Sequence, residues 1–277
     1  MSDSQPDRRD LVAQASGTVI LIGGATTPTG AALGEFVRLS KGRAGGKIVA
    51  LTTASGNPIV SAKQWRRDLI AAGCTHLHTP IVANREQACD PQVVEAIQAA
   101  DGVFLGGGDQ VKLVSILGGS PIGEAIRDAY VRGIVIGGTS AGAAALAKTT
   151  LAGNEVDESG HLVEQYIGPG LGLVRHPAII DTHFSQRRRL YRLFVALAEF
   201  PELLGLGIDE NTALVLNDDT GRVVGTGSVT FVDGRGVTFS NAAQLREGKP
   251  LTLSAMRVGI VGAGYTLNLK TRELLVD

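Results

Sequence analysis

Gly138–Thr139–Ser140–Ala141–Gly142 fits the pattern G-x-S-x-G, in which a serine on a sharp strand-to-helix turn is presented as a nucleophile. It follows the apolar run GIVIGG and precedes the helix-forming run Ala143–Leu146, the context that the pattern requires. Small neighbours let the chain bend tightly. The hydroxyl then projects above a sheet, and the N-terminus of the next helix favours negative charge developing there. The plainer alternative is a glycine-rich turn that only connects strand to helix.

A serine nucleophile needs a base, and the chain offers five histidines: His76, His78, His161, His176 and His183. His183 follows the apolar run Ala178–Ile180, at the mouth of an expected strand, where α/β folds carry functional groups. His176, which precedes Pro177, is the second choice, and His161 falls in a polar stretch. Cys74, His76 and His78 share one face of an expected strand by period-two spacing. That face could imitate a metal tripod, but no fourth ligand is evident and a half-buried strand face is the simpler reading.

The base needs an acid to orient it. Glu210, at the end of the run GLGID, is the first choice; Asp209 beside it points the opposite way if the strand continues. Glu155 and Glu158 lie in a loop-like stretch, and Glu158 is the alternative acid. For the oxyanion, the backbone N–H of Ala141 is one donor and that of Gly107 or Gly108, at the end of a neighbouring strand, is the second. Asp109 reads as either a helix N-cap or a substrate contact, and Gln110 has amide donors for an acyl or carboxylate group.

The elements that must carry these residues are legible as alternating apolar strands and helical patterns. Strands are expected at 18–24, 47–54, 75–82, 102–105 and 133–138, with helices at 28–39, 60–72, 91–100 (capped by Asp90), 109–117, 121–131 and 140–147. Near-continuous apolar strands separated by helices predict an α/β fold with a mostly parallel sheet and helices on both faces. After a polar stretch at 154–165 come a strand at 178–181 and a helix at 185–200. From position 205 the runs GLGID, TALVLND, RVVGTGSVTFVD, GVTFS, MRVGIV and YTLNLK predict antiparallel strand additions.

Composition excludes several classes. With 277 residues, 44% hydrophobic and 19% charged, the chain is globular, and residues 17–277 read as a single hydrolytic domain behind a flexible 1–16 tail. Its 26 basic and 27 acidic residues leave a net charge of −1, so neither nucleic acid nor a membrane surface is indicated. No apolar run is long enough to span a bilayer. The polar N-terminus is no secretory or mitochondrial leader, and two cysteines build no disulfide framework; a cytoplasmic protein is expected. The oddity is 37 glycines beside 4% aromatics, several of them at strand ends.

Four ordered motifs, Gly107–Gly108–Asp109–Gln110, Gly138–Ala144, Asp181–Arg187 and Gly207–Ala213, resemble the cyanophycinases. These are serine peptidases related to aspartyl dipeptidase and, more distantly, to class I glutamine amidotransferases. The resemblance covers nearly the whole chain after the tail. It implies a Ser140–His183–Glu210 triad and a pocket lined by Gln110, Asp181, Thr182, Arg187, Arg189 and Arg192. It also implies cleavage of cyanophycin, poly-aspartate with arginine on each β-carboxylate, to β-Asp-Arg, and a homodimer. Two positions depart from the family. Many members carry an acidic pair where this chain has Thr26–Thr27, and often glutamine where it has Thr182. Cleavage of another aspartyl or β-aspartyl peptide is the alternative, and a catalytically inactive peptide-binding relative a further one.

The arginines allow a reading of their own. Arg187–Arg189 and Arg192 open the expected helix; Arg188, Arg189 and Arg192 fall opposite a stripe of Leu190, Leu193 and Leu197 and could be a solvated basic face. Three arginines in a first turn oppose the helix dipole, a cost that a bound carboxylate would offset. Asp181 or Asp109 could then meet a substrate guanidinium. The expected reaction is acyl transfer through Ser140 and His183 without metal or organic cofactor.

Overall fold

The computed structural model describes residues 17–156, 158 and 162–276. Its first half alternates as the apolar pattern requires: β1 (Val19–Ile22), α1 (Ala31–Leu39), β2 (Lys47–Leu51), α2 (Pro58–Ala71), β3 (His76–His78), α3 (Pro91–Gln98), β4 (Gly102–Leu105), α4 (Gln110–Leu117), α5 (Pro121–Val131), β5 (Val135–Thr139) and α6 (Ala141–Ala145). Side chains start most of these helices. Asn57, Asp90, Asp109 and Ser120 each accept from a backbone N–H of the first turn, satisfying groups that no helical carbonyl reaches.

These strands form five parallel neighbours in the order β1-β5-β4-β2-β3. The chain first moves outward to β3 and then returns, so right-handed crossovers place helices on both faces. Ile20, Ile22, Ile48, Ala50 and Phe104 pack under α1 and α2, while Leu21, Val49, Leu51, Val103 and Ile136 pack under α3–α6. Each such fully buried aliphatic side chain contributes about 1.5–3 kcal/mol.

The second half builds β6 (Thr149–Val156), β7 (Leu162–Pro169), β8 (Ala178–Thr182), α7 (Leu190–Glu199), β9 (Leu204–Ile208), β10 (Thr212–Asn217), β11 (Thr220–Gly225), β12 (Ser228–Asp233), β13 (Arg257–Gly262), β14 (Thr266–Asn268) and β15 (Glu273–Leu275). Strands β10, β11, β14 and β15 extend the first sheet antiparallel beyond β1, making nine strands. Of the remaining strands, β6-β7 form a two-stranded sheet and β13-β12-β9-β8 a separate four-stranded one. Its inner face, with Ile180, Leu206, Ile208 and Phe231, joins the core of the first sheet; its outer face carries Ile179 and Val232 under Leu193 and Leu197 of α7.

Several expectations are corrected. The strand at 75–82 shrinks to three residues, GVTFS forms no strand beyond a bridge at Ser240, and the single run at 222–233 divides between the two sheets. The polar stretch 154–165 includes strand residues of the β6–β7 hairpin, where Asn154 and Glu155 are exposed and Gln165 is buried. The helix expected from 185 begins at Leu190, and residues 184–189 are turns. The arginines of that segment therefore precede the helix, Arg189 standing at its N-cap. Leu190 is 38% exposed and outside the buried stripe. Pro28 likewise sits in a turn before α1.

A candidate serine-hydrolase site between two sheets

Strand register explains how residues far apart in sequence meet. In the second sheet β8 and β9 are parallel, with Thr182 opposite Ile208, so His183 and Asp209–Glu210 leave adjacent strands at the same end. In the first sheet Ile22 lies opposite Thr139, so Gly23 and Ser140 also emerge together. Two bonds join these ends: the His183 N–H donates to the Gly23 carbonyl at 2.7 Å, and the Asn211 N–H to that of Gly24 at 3.0 Å.

Ser140 holds φ 52° and ψ −119°, a conformation costing on the order of 1–3 kcal/mol for a residue with a Cβ. Bonds on both sides fix it. The Ser140 N–H donates to the Ile22 carbonyl, and the Ser140 carbonyl accepts from Ala143 and Ala144. The bend has no room for a side chain at Gly142, where a Cβ would stand 2.2 Å from the Leu105 carbonyl oxygen.

Three side chains form a hydrogen-bonded chain. Ser140 Oγ lies 2.9 Å from His183 Nε2, and His183 Nδ1 lies 2.7 Å from Glu210 Oε1. The Glu210 carboxylate accepts from Nδ1–H, which leaves Nε2 able to take the serine proton. The His183 side chain is 12% exposed and that of Glu210 32%, so the ring is shielded, and Ser140 is half-buried.

Gly107 flanks the serine: a Cβ there would stand 3.2 Å from Ser140 Cβ. The N–H groups of Gly107 and Ala141 have no backbone partner among the described residues. Gly108 turns instead against Ala54, whose carbonyl oxygen would be 2.1 Å from a Cβ at that position.

The other singled-out residues are placed as follows. Asp109 is the N-cap of α4, accepting from Val111 and Lys112. Gln110 donates its amide to the Leu151 carbonyl at 2.5 Å, toward the hairpin. Asp181 is 2% exposed, and its carboxylate is taken by Arg189 and Arg192. The carboxylate expected to meet a substrate guanidinium thus already lies against two internal guanidiniums. Thr182 is buried, and Arg187 is exposed. Burial pulls the Arg189 guanidinium below its usual value and repulsion from Arg192 and Arg187 adds to this, while Asp181 opposes it.

His176 pairs with Asp219 at 2.9 Å. Glu158 is exposed, and His161 lies outside the described residues. Cys74 is buried whereas His76 and His78 are exposed, so the three do not share a face. Among the described residues no group of three or more His, Cys, Asp or Glu could hold a metal ion, and no helix is long and apolar enough to cross a membrane.

Three supporting residues were not assigned from the sequence. Gly24, with φ +103°, lies against the imidazole of His183. Gln186 Oε1 accepts the Glu210 N–H at 3.1 Å, and Asp209 is buried, its carboxylate accepting from Ser185 and Ser228. An acid directly before Glu210 and a glycine pair after β1 were the available signals.

Residues 19–224 match the pattern of peptidase family S51. A protein named cyanophycinase from Nostoc sp. is 36% identical over 263 residues, covering 93% of this chain and 87% of the relative. Another so named, from Geminocystis herdmanii, is 34% identical over 228 residues, covering 82% and 84%. A crystal structure of a peptidase from an acI-B1 Actinobacterium superposes with a TM-score of 0.67 at 23% identity, covering 91% of this chain and 96% of that one.

Proposed function

The chain belongs to peptidase family S51 and is a serine peptidase, and from that premise we propose that it hydrolyses cyanophycin to β-Asp-Arg through Ser140, His183 and Glu210. The observation that carries the reading is the unbroken chain of hydrogen bonds from Ser140 Oγ through His183 to Glu210. The substrate is supported by the name that these relatives carry.

In this reading His183 Nε2 takes the proton as Ser140 Oγ bonds to the carbonyl carbon. Glu210 holds the ring in the needed tautomer and stabilises the imidazolium. The N–H groups of Ala141 and Gly107 receive the oxyanion, at a helix N-terminus that favours negative charge. Collapse breaks the C–N bond, His183 protonates the leaving amine, and water releases the acyl group by the same steps in reverse. No cofactor takes part. Arg187, exposed in the turn after His183, is a guanidinium available to a substrate carboxylate. A cytoplasmic homodimer completes the reading, and sedimentation equilibrium checks the dimer.

The commitment of Asp181 to Arg189 and Arg192 favours recognition of aspartate over arginine, and so a second reading: cleavage of short aspartyl or β-aspartyl peptides. Incubation with cyanophycin and a panel of α- and β-aspartyl peptides, read by mass spectrometry, separates the two. Release of β-Asp-Arg supports the first; cleavage of short α-aspartyl peptides alone contradicts it.

A further inference from the structure

We infer that Asp209 is a positioning residue of this site, its buried carboxylate fastening the turn that carries His183 and so holding the imidazole between Ser140 and Glu210. The inference rests on the reading of Ser140 and His183 given above.

His183 itself has φ 50°, a conformation that persists only where the surroundings over-determine it. Three successive N–H groups do so. Those of His183 and Phe184 donate to the carbonyls of Gly23 and Ile208, and that of Ser185 donates to Asp209 Oδ1 at 3.0 Å. The third anchor is the only one of the three made by a side chain. The other carboxylate oxygen accepts from the N–H and the hydroxyl of Ser228, at 3.1 and 3.0 Å. One carboxylate thus ties the His183 turn to the start of β12, and its own main chain continues into Glu210.

Asp209 differs from the other buried aspartates of this half of the fold. Asp181 and Asp233 each meet arginines within ion-pair distance, whereas Asp209 is 7% exposed and held by N–H and O–H donors. A buried carboxylate without a cation is costly unless hydrogen-bonded throughout. Its geometry is also demanding: two backbone N–H groups approach opposite oxygens, so both oxygens must accept. An asparagine offers one acceptor and turns an NH2 group toward the other N–H.

The test compares Asp209→Asn with Asp233→Asn, a buried aspartate at the far end of β12. Reactivity is read as the rate of fluorophosphonate labelling at Ser140, and ring position as the downfield proton resonance of His183 Nδ1–H. For Asp209→Asn the expectation is labelling slowed about tenfold or more, with the resonance shifted or broadened. Asp233→Asn should lower the Tm yet leave labelling within about twofold, as distant sites behave independently. If Asp209→Asn does not fold, Ser228→Ala removes one of the three bonds and should slow labelling about threefold. Labelling within twofold of the wild type with an unmoved resonance overturns the inference. Equal slowing in Asp233→Asn does so too, since the effect would then be general destabilisation. Wild-type protein that does not label at Ser140 would overturn the underlying reading instead, and the resonance would still decide the role of Asp209.

Discussion

The imidazole of His183 rests on the backbone of Gly24: a Cβ at that glycine would stand 2.2 Å from Cε1 and 2.5 Å from Nε2 of the ring. The first sheet therefore sets the ring's position through a residue that has no side chain, at φ +103°. Gly24→Ala is expected to push the ring off Ser140 and strain the turn, lowering kcat roughly 100-fold with a smaller change in KM. Steady-state kinetics on the folded variant check this; an unchanged kcat would show that the ring is held from elsewhere.

Glu210 Oε1 lies 2.7 Å from His183 Nδ1 as a hydrogen-bond acceptor, and in the proposed mechanism its charge does two things at once. It selects the tautomer and stabilises the imidazolium. Glu210→Gln keeps the shape and can reverse the tautomer, so kcat should fall by about 10³–10⁴. Glu158→Gln, by contrast, should change kcat less than about twofold, as expected of an exposed residue outside the Ser140–His183–Glu210 hydrogen bonds. Comparable losses in both would contradict the assignment of the acid.

That pairing was only partly legible in the sequence. Ser140 announced itself, because a small-residue pentapeptide between an apolar strand and a helix has few other uses. Glu210 could be nominated but not separated from Glu158 by spacing, since what selects it is the parallel pairing of β8 with β9. Period-two hydrophobicity reveals that a strand exists and leaves its neighbours unstated. For the same reason the four-stranded sheet went unforeseen: β11 and β12 read as one run, RVVGTGSVTFVD, yet belong to different sheets. The helices behind Ser120–Pro121 and Asp90–Pro91 were read closely, whereas those expected from Pro28 and Ser185 begin later, at Ala31 and Leu190, because turns occupy the residues between.

Asp181 is a structural anion in this account. Its side chain is 1% exposed, beneath Arg189 and Arg192 at 18% and 23%. Asp181→Ala should leave two half-buried guanidiniums unpaired and destabilise the fold by about 3 kcal/mol, seen as a clear drop in Tm. A Tm unchanged by that substitution would return Asp181 to the substrate side of the pocket.

Acid should destabilise the protein partly through Asp233. Burial raises its carboxyl, but hydrogen bonds from Arg235 and the charge and hydrogen bonds of Arg272 outweigh that and hold it well below the usual carboxylate range. A carboxyl depressed in the folded state stabilises the fold above its unfolded value, near pH 4. That contribution is lost as the pH falls toward the folded value. Wild-type Tm should therefore decline below about pH 4, and more steeply than that of Asp233→Asn. Parallel acid limbs would contradict this role.

The central claim is that Ser140, activated by His183, is the nucleophile of a hydrolase acting on cyanophycin. Intact-protein mass spectrometry after fluorophosphonate treatment, run beside cyanophycin hydrolysis on wild type, Ser140→Ala and His183→Ala, tests it most directly. The account predicts one adduct on the peptide containing Ser140, absent in Ser140→Ala and strongly slowed in His183→Ala, with β-Asp-Arg released by the wild type alone. An adduct on another residue, or release of β-Asp-Arg by Ser140→Ala, would contradict it.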